Sequence, residues 1–129
     1  MALDYDTLMS KVETDLPFSY TDADSMLYAL SVGMGTDPLD ERELDYVYEQ
    51  GASLKTVPTL ATVLVPEMFP VGLGWDYSQI LHSEQRLRLF RPLPPRADRL
   101  INKRVVDAFD RGSRGGALIL LEAEGRLAS

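Results

Sequence analysis

One stretch decides the fold: residues 100–126, LINKRVVDAFDRGSRGGALILLEAEGR. Its first part is rich in β-forming residues such as Val105, Val106 and Phe109. It ends at the glycine-rich residues 111–116, which are typical of a hairpin loop. Apolar and charged side chains then alternate, which indicates a strand with two different faces. The stretch therefore predicts two antiparallel strands, 98–110 and 116–126.

Strand-like alternation also precedes this hairpin. In residues 80–90, Leu87 and Leu89 alternate with Arg86 and Arg88, which predicts another long strand. The connection that follows, residues 91–95 (RPLPP), is rigid, and no central strand could contain it.

The first half of the chain is expected to be mainly helical. Residues 17–20 (PFSY) suit a short strand, and Thr21 with Asp24 forms a capping signal for a helix over 22–34. Asp40 can cap a short helix within 37–44. Pro58 suits the first turn of a short buried helix over 59–65, although periodicity alone does not exclude a strand.

Helices followed by antiparallel strands predict an α+β fold in which the sheet wraps around the 59–65 helix. The expected buried residues are Val63, Leu87, Val106, Ile119 and Leu121 in this core, with Leu27 and Leu30 on the 22–34 helix. Truncating Leu27 or Leu30 to Ala should then cost about 2–5 kcal/mol, against about 1 kcal/mol for Thr21→Ala.

Composition restricts the chemistry. The chain has 129 residues, enough for one domain, with 45% hydrophobic and 26% charged residues. It has no cysteine and one histidine, His82, which excludes disulfides, zinc–thiolate sites and multi-histidine metal sites. We expect no metal and no cofactor. The apolar stretch 57–66 is too short to span a membrane, and the acidic N-terminus does not resemble a targeting signal, so we expect a cytoplasmic protein.

The net charge of −7 is unevenly distributed. Residues 1–50 hold 12 acidic and 2 basic residues, whereas the remainder has a small basic excess. This excess is too small to predict nucleic-acid binding. The bases are interpreted as solvent-facing strand residues, with an anionic small molecule or an acidic partner as the alternative. They are Arg86, Arg88, Arg91, Arg96, Arg99, Lys103 and Arg104.

A family resemblance rests on several segments in order. They are residues 20–24 (YTDAD), 27–33 (LYALSVG), 37–40 (DPLD), 46–49 (YVYE), 54–59 (LKTVPT), 80–85 (ILHSEQ) and 91–94 (RPLP). Over about residues 17–125, the chain resembles the N-terminal half of the type-2, (R)-specific enoyl-CoA hydratases. These are MaoC-like dehydratases with the hot-dog fold, including the hydratase domain of the type-2 peroxisomal multifunctional enzyme. The resemblance implies a hot-dog fold, fatty acyl-CoA metabolism, and a peroxisomal location if the source is eukaryotic.

The resemblance also implies which half of the enzyme is represented. In the double hot-dog hydratases, the N-terminal half shapes the acyl-chain tunnel, while an Asp and a His in the C-terminal half activate water. Residues 28–40 resemble a degenerate copy of the catalytic motif, with Pro38 and Leu39 in place and Asp40 where the motif has His. No catalytic pair is therefore expected in residues 1–129, which correspond to one N-terminal domain. The family comparison further suggests a missing last strand and an unpaired edge near 117–125.

Few side chains remain as candidates for a site. Asp40 and His82 are the candidate catalytic groups, and neither is assigned that role. Asp40 with Asp37 would need one raised pKa, and capping is the favoured interpretation. His82 is interpreted as structural, with a lone base, a tunnel-lining position or an interface position as alternatives. The candidate substrate-binding residues are Pro58, Thr59, Met68 and Phe69.

Two functional hypotheses follow. In the first, the chain is the acyl-chain-accommodating half of an (R)-specific trans-2-enoyl-CoA hydratase and binds a catalytic C-terminal half or another copy of itself. In the second, it is a stand-alone small hot-dog acyl-CoA-binding module, or a non-standard hydratase or thioesterase.

Overall fold

The computed structural model describes residues 4–50, 53–65 and 73–128. The strands are β1 (Val12–Tyr20), β2 (Ala97–Asp110) and β3 (Ala117–Leu127). The α-helices are α1 (Tyr5–Met9), α2 (Asp22–Ser31), α3 (Glu41–Val47) and the one-turn α4 (Gly112–Gly115). Two 3₁₀ helices span Pro58–Thr62, here called the Pro58 helix, and Tyr77–Gln79. Among these described residues, no helix has the length and apolar character that a membrane crossing requires.

The strands form one antiparallel sheet in the order β1-β2-β3. Leu100 lies opposite Arg126 and Val105 opposite Leu121 in the β2–β3 hairpin, as the alternation predicted. β1 and β2 also run antiparallel. The backbone N–H of Asp15 donates to the Asn102 side chain, and the hydroxyl of Ser19, further along β1, donates to Asp98, which lies earlier in β2. The α+β class, the two hairpin strands and the strand at 17–20 are confirmed.

The predicted strand over 80–90 is wrong. Residues 81–90 are all exposed and have no regular secondary structure. Leu87, expected in the core, is 42% exposed. Alternation makes a segment suitable for a sheet, but a strand forms only when a neighbour supplies backbone hydrogen bonds. The described residues provide no such neighbour here.

Two other predicted core positions are also wrong. Val106 is exposed because β2 buries Ile101 and Val105, and an irregularity in register between Val105 and Asp107 changes which side chains face inward. Val63 is exposed because the Pro58 helix ends at Thr62. Beyond that end, helical periodicity no longer applies. Ile119 and Leu121 are partly buried and pack against a core cluster, as expected.

The chain divides into two compact units. The first, the hairpin unit, comprises Met1–Pro17, Val65–His82 and Arg99–Ala128, and its buried cluster is Leu8, Val105 and Ala108. The second, the helical unit, comprises mainly Phe18–Leu64 and Ser83–Asp98. Its buried cluster is Tyr20, Leu60, Leu64 and Leu93. The predicted 59–65 helix exists as a shorter 3₁₀ helix, and Leu60 is its one buried residue, so the prediction of a buried helix is right only for that side chain.

Helix α2 begins at the predicted residue but buries another face. The side chain of Thr21 accepts from Asp24 N–H and that of Asp24 accepts from Thr21 N–H, which is the predicted capping box. Leu27, however, is 67% exposed, and Leu30 is also exposed. The prediction that these two leucines are buried is therefore wrong. Small residues face inward instead, and the buried hydroxyl of Ser25 donates to the Pro95 carbonyl at 2.6 Å. A small side chain allows this close approach, which a leucine would block.

The corrected burial changes the expected order of stability losses. Leu60→Ala should lower the free energy of unfolding by about 2–5 kcal/mol, because Leu60 is 3% exposed. Thr21→Ala should cost about 1 kcal/mol through the lost cap, and Leu27→Ala less than about 1 kcal/mol. Urea unfolding of the three variants measures this order. A larger loss for Leu27→Ala than for Leu60→Ala would contradict the assignment of the buried face.

Candidate functional site

The predicted substrate-binding residues Pro58 and Thr59 lie at the start of the Pro58 helix. Pro58 occupies the first turn, where its missing N–H costs nothing, and both residues are exposed. The helix is held in place by Leu60, which packs with Tyr20, Leu64 and Leu93 in the helical unit. Met68 and Phe69, the other two candidates, lie outside the described residues.

A hydrogen bond joins α2 to the Pro58 helix. The Tyr28 hydroxyl donates to Thr59 Oγ1 at 3.0 Å, while Thr62 Oγ1 donates to the Thr59 carbonyl at 2.8 Å. Thr59 is thus fixed both by a neighbouring helix and by its own turn. Tyr28 and Thr59 lie 31 residues apart in sequence, and no sequence pattern predicted their contact. The packing of the helical unit brings them together.

Thr56 is a buried polar residue that the sequence did not single out. Its side chain is 8% exposed, and Oγ1 has no hydrogen-bond partner in the described part of the chain. Burying a hydroxyl without a partner costs about 1–3 kcal/mol. The sequence places Thr56 two residues before Pro58, but no sequence pattern predicts that its side chain is buried. The segment just before the Pro58 helix therefore contains a hydroxyl, that of Thr56, to which no described residue is hydrogen-bonded.

Asp40 caps α3, as predicted. Its carboxylate accepts from the backbone N–H of Arg42 at 3.0 Å, and from Nε and Nη2 of the same residue at 3.0 and 2.7 Å. The Arg42 side-chain hydrogen bonds, followed by its backbone N–H, lower the pKa of Asp40 to about 2. At neutral pH, Asp40 is therefore ionised and paired, which suits a cap and not a proton donor.

A cleft of 450 Å³ borders Asp40 within the helical unit. Its carboxylates are already engaged, because Asp45 pairs with Lys55 Nζ at 2.6 Å and Glu43 accepts from Gly35 N–H at 2.8 Å. The hydrogen bond and charge of Asp45 raise the pKa of Lys55. The cleft is lined by Met34, Asp40, Arg42, Glu43, Asp45, Tyr46 and Lys55. Paired charges make it a poor receptor for an apolar chain.

The alternative of two catalytic carboxylates finds no support in the geometry. Asp37 is exposed and accepts the Leu39 N–H at 2.9 Å, as a turn residue does. The pKa of Asp40 is lowered, whereas acid catalysis would need a raised one. His82 is exposed in the hairpin unit and stays a candidate only from the sequence. Within the ranges that the structure describes, no three His, Cys, Asp or Glu side chains are grouped to hold a metal.

The Asp40 cap predicts a pH effect. Nuclear magnetic resonance titration of its carboxyl carbon should give a pKa of about 2, and Arg42→Ala should raise it toward 3.8. A lowered pKa in the folded state adds stability above the unfolded pKa and loses it as pH falls toward 2. Arg42→Ala should therefore remove part of the stability loss between pH 4 and pH 2. In a matched control, Arg86→Ala should leave the Asp40 pKa unchanged, and an unshifted pKa in Arg42→Ala would contradict the assigned cause.

The buried hydroxyl predicts a stabilising substitution. Thr56→Val keeps the shape and removes the unpartnered group, so it should raise the free energy of unfolding by up to about 1 kcal/mol. The matched change Thr59→Val removes the partner of Tyr28 and should lower it by about 1 kcal/mol. Thermal and urea unfolding measure both. Equal losses in the two variants would show that Thr56 Oγ1 has a partner in the folded chain.

Comparison with known proteins adds the family context. A sequence model of the MFE-2 hydratase 2 N-terminal domain matches residues 18–127. The enoyl-CoA hydratase ChsH3 of Mycobacterium tuberculosis is 29% identical over 87% of this chain and 41% of its own length. Enoyl-CoA hydratase 2, peroxisomal, of Arabidopsis thaliana is 32% identical over 89% of this chain and 39% of its length. The 3-hydroxyacyl-thioester dehydratase Y of M. tuberculosis is 31% identical over 97% and 42%.

Solved structures agree on the fold. A MaoC-like dehydratase from Phytophthora capsici matches with a TM-score of 0.73 and 21% identity, over 95% of this chain and 43% of that one. Full-length peroxisomal multifunctional enzyme type 2 from Drosophila melanogaster matches with a TM-score of 0.68 and 26% identity, over 89% and 20%. The expected hot-dog fold is confirmed. The chain spans less than half the length of each of these proteins.

Proposed function

The chain belongs to the MFE-2 hydratase 2 N-terminal domain family, and from that premise we propose that it accommodates the acyl chain in an (R)-specific trans-2-enoyl-CoA hydratase. In this proposal, residues 1–129 act as one N-terminal MaoC-like domain. The Asp/His pair that activates water belongs to a separate catalytic half. Hydration and acyl-chain binding are thereby divided between two hot-dog domains.

The state of Asp40 is the observation that carries the proposal. Adding water to a conjugated thioester needs a base for water, a proton donor for the α-carbon and donors for the enolate oxygen. Asp40 stands where the catalytic motif of the family has His, and its carboxylate is held by Arg42 with a pKa of about 2. A group so paired neither gives nor takes a proton readily at neutral pH. The acid and base are therefore assigned to the other half.

The acyl chain is assigned to the apolar region 57–75. Leu60 and Leu64 are buried with Tyr20 and Leu93 in the helical unit, whereas Val63, next to Leu64 in sequence, is 58% exposed. Pro58, Thr59, Met68 and Phe69 stay the proposed substrate-binding residues. No metal or cofactor is required by this role.

The proposed partner is a catalytic hot-dog half. The relatives named above extend well beyond the length matched by this chain, which leaves room for such a half. The proposed location is the cytoplasm, or the peroxisome if the source is eukaryotic, as the name of the Arabidopsis relative suggests. Neither nucleic acid nor a membrane is a proposed partner.

An activity assay tests the division of labour. The purified 129-residue chain should not consume a trans-2-enoyl-CoA above a no-protein control. Each positioned acid or base is worth about 10²–10⁴-fold, so losing both removes measurable turnover. A catalytic half that carries the Asp/His motif, added in trans or fused, should restore turnover. Loss of the absorbance of the conjugated thioester measures the rate.

Variants of the two candidate residues provide the control. His82→Ala and Asp40→Asn should leave the rate of the reconstituted pair unchanged, because neither group takes part in the chemistry. Hydration by the isolated chain that either substitution abolishes would contradict the proposal. That result would establish the stand-alone enzyme instead.

A further inference from the structure

Residues 4–11, here called the N-terminal strap, comprise helix α1 and the residues that flank it. Leu8 is the buried anchor of the strap, because its side chain is 1% exposed whereas residues 4–7 are exposed. The carboxylate of Asp4 caps the helix by accepting the N–H of Thr7 at 3.0 Å. The helix has five residues, and an isolated helix needs roughly 12–15 residues to be even marginally stable in water. Helix α1 therefore depends on the docking of Leu8.

Leu8 docks into the apolar interior of the hairpin unit. It packs with Val105 of β2 in the buried cluster of this unit, and Leu73 and Trp75 pack against the same cluster. All four side chains belong to the hairpin unit. Leu73 and Trp75 also lie within region 57–75, to which the acyl chain is assigned. One side chain of the strap thus fills an apolar site that the proposed acyl-binding region helps to line.

Hydrogen bonds also attach the strap to β2. The Tyr5 hydroxyl donates to Asp107 Oδ1 at 3.2 Å, and the Val105 N–H donates to the Lys11 carbonyl at 3.3 Å. Both distances are longer than the usual range for hydrogen bonds of these types. The bond from Tyr5 is also exposed to water, which reduces its net contribution to stability. The burial of Leu8 is therefore the main attachment of the strap.

This kind of attachment makes the strap displaceable. Segments held by few buried apolar contacts and by exposed hydrogen bonds open locally at a low free-energy cost. A leucine side chain and the end of an acyl chain are both saturated hydrocarbon, and apolar burial has no directional requirement. The apolar walls around Leu8 therefore suit either group. The family model begins at residue 18, so the match assigns the strap no role.

We propose that the N-terminal strap closes the apolar site of the hairpin unit and that the end of a bound acyl chain displaces Leu8 from it. This role rests on the proposed function, because the ligand is the acyl chain of that function. It adds a regulatory element to the site. The strap competes with the acyl chain, so its strength of docking sets the apparent affinity for acyl-CoA.

Hydrogen exchange of the full 129-residue chain, with and without dodecanoyl-CoA, tests the displacement. The amides of Leu8 and Ser10 donate to carbonyls within the strap. Saturating dodecanoyl-CoA should raise their exchange rates by at least about tenfold, because the released helix loses its protection. Amides around the Lys103–Ala123 pair of the β2–β3 hairpin should not change. Free CoA, which has no acyl chain, should leave the strap amides unchanged.

Variants that loosen the strap should bind the ligand more tightly, since apparent affinity rises with the fraction of the chain that is open. Leu8→Ala removes the anchor and should lower the Kd for dodecanoyl-CoA by at least about tenfold. Tyr5→Phe removes the hydrogen bond to Asp107 and should lower the Kd about twofold to threefold. Isothermal titration calorimetry measures both. Tyr5→Phe leaves the buried cluster intact, so it provides the test if Leu8→Ala does not fold.

Two matched controls lie in the helical unit. Leu93→Ala truncates another buried leucine, and Tyr48→Phe removes another exposed hydroxyl, which donates to Gln50 at 3.3 Å. Neither should tighten binding. Urea unfolding should show that Leu8→Ala and Leu93→Ala both lose stability. Lower stability together with tighter binding in Leu8→Ala alone is the combination that a purely structural leucine does not produce.

Several results would overturn the strap. If the unmodified chain binds dodecanoyl-CoA but neither Leu8→Ala nor Tyr5→Phe binds it more tightly, the strap is refuted and the proposed function stands. The same conclusion follows if the bound ligand slows exchange of the strap amides or leaves it unchanged. If neither the unmodified chain nor either variant binds dodecanoyl-CoA, the proposed function fails and the strap fails with it.

Discussion

The two-sided hydrogen bonding of β2 is the constraint on which the rest of the structure depends. β2 is the central strand of the sheet, and it is the only one of the three described strands with a neighbour on each side. It contributes Val105 to the cluster of the hairpin unit, while Ala97 at its start packs against the cluster of the helical unit. The buried faces of both units therefore depend on where β2 begins and on its irregularity between Val105 and Asp107.

Features that depend on neighbouring residues in sequence could be predicted. The Thr21–Asp24 capping box, the Asp40 cap and the β2–β3 hairpin each arise from side chains or turns a few residues apart. Features that depend on distant contacts could not. The alternation in 80–90 gave no information on whether a neighbouring strand exists, and helical spacing did not distinguish the Leu27 face from the Ser25 face.

The same distinction applies to the candidate site. The capping role of Asp40 followed from its place before a short helix, and the Arg42 hydrogen bonds agree with it. The burial of Thr56 and the Tyr28–Thr59 hydrogen bond depend on how α2 and the Pro58 helix pack, which spacing does not encode. At the position where the family's catalytic motif has His, Asp40 stabilises the start of α3 as a cap. In the proposal, the acid and base for hydration lie in the catalytic half.

Photo-crosslinking with an acyl-CoA that carries a diazirine at the end of its acyl chain tests the central claim most directly. The probe is irradiated with this chain and a catalytic half together, and the labelled peptides are identified by mass spectrometry. The account predicts labels within residues 57–75 of this chain, reduced by competing unlabelled long-chain acyl-CoA. Labels confined to the catalytic half, or labels on this chain that the competitor does not reduce, would contradict it.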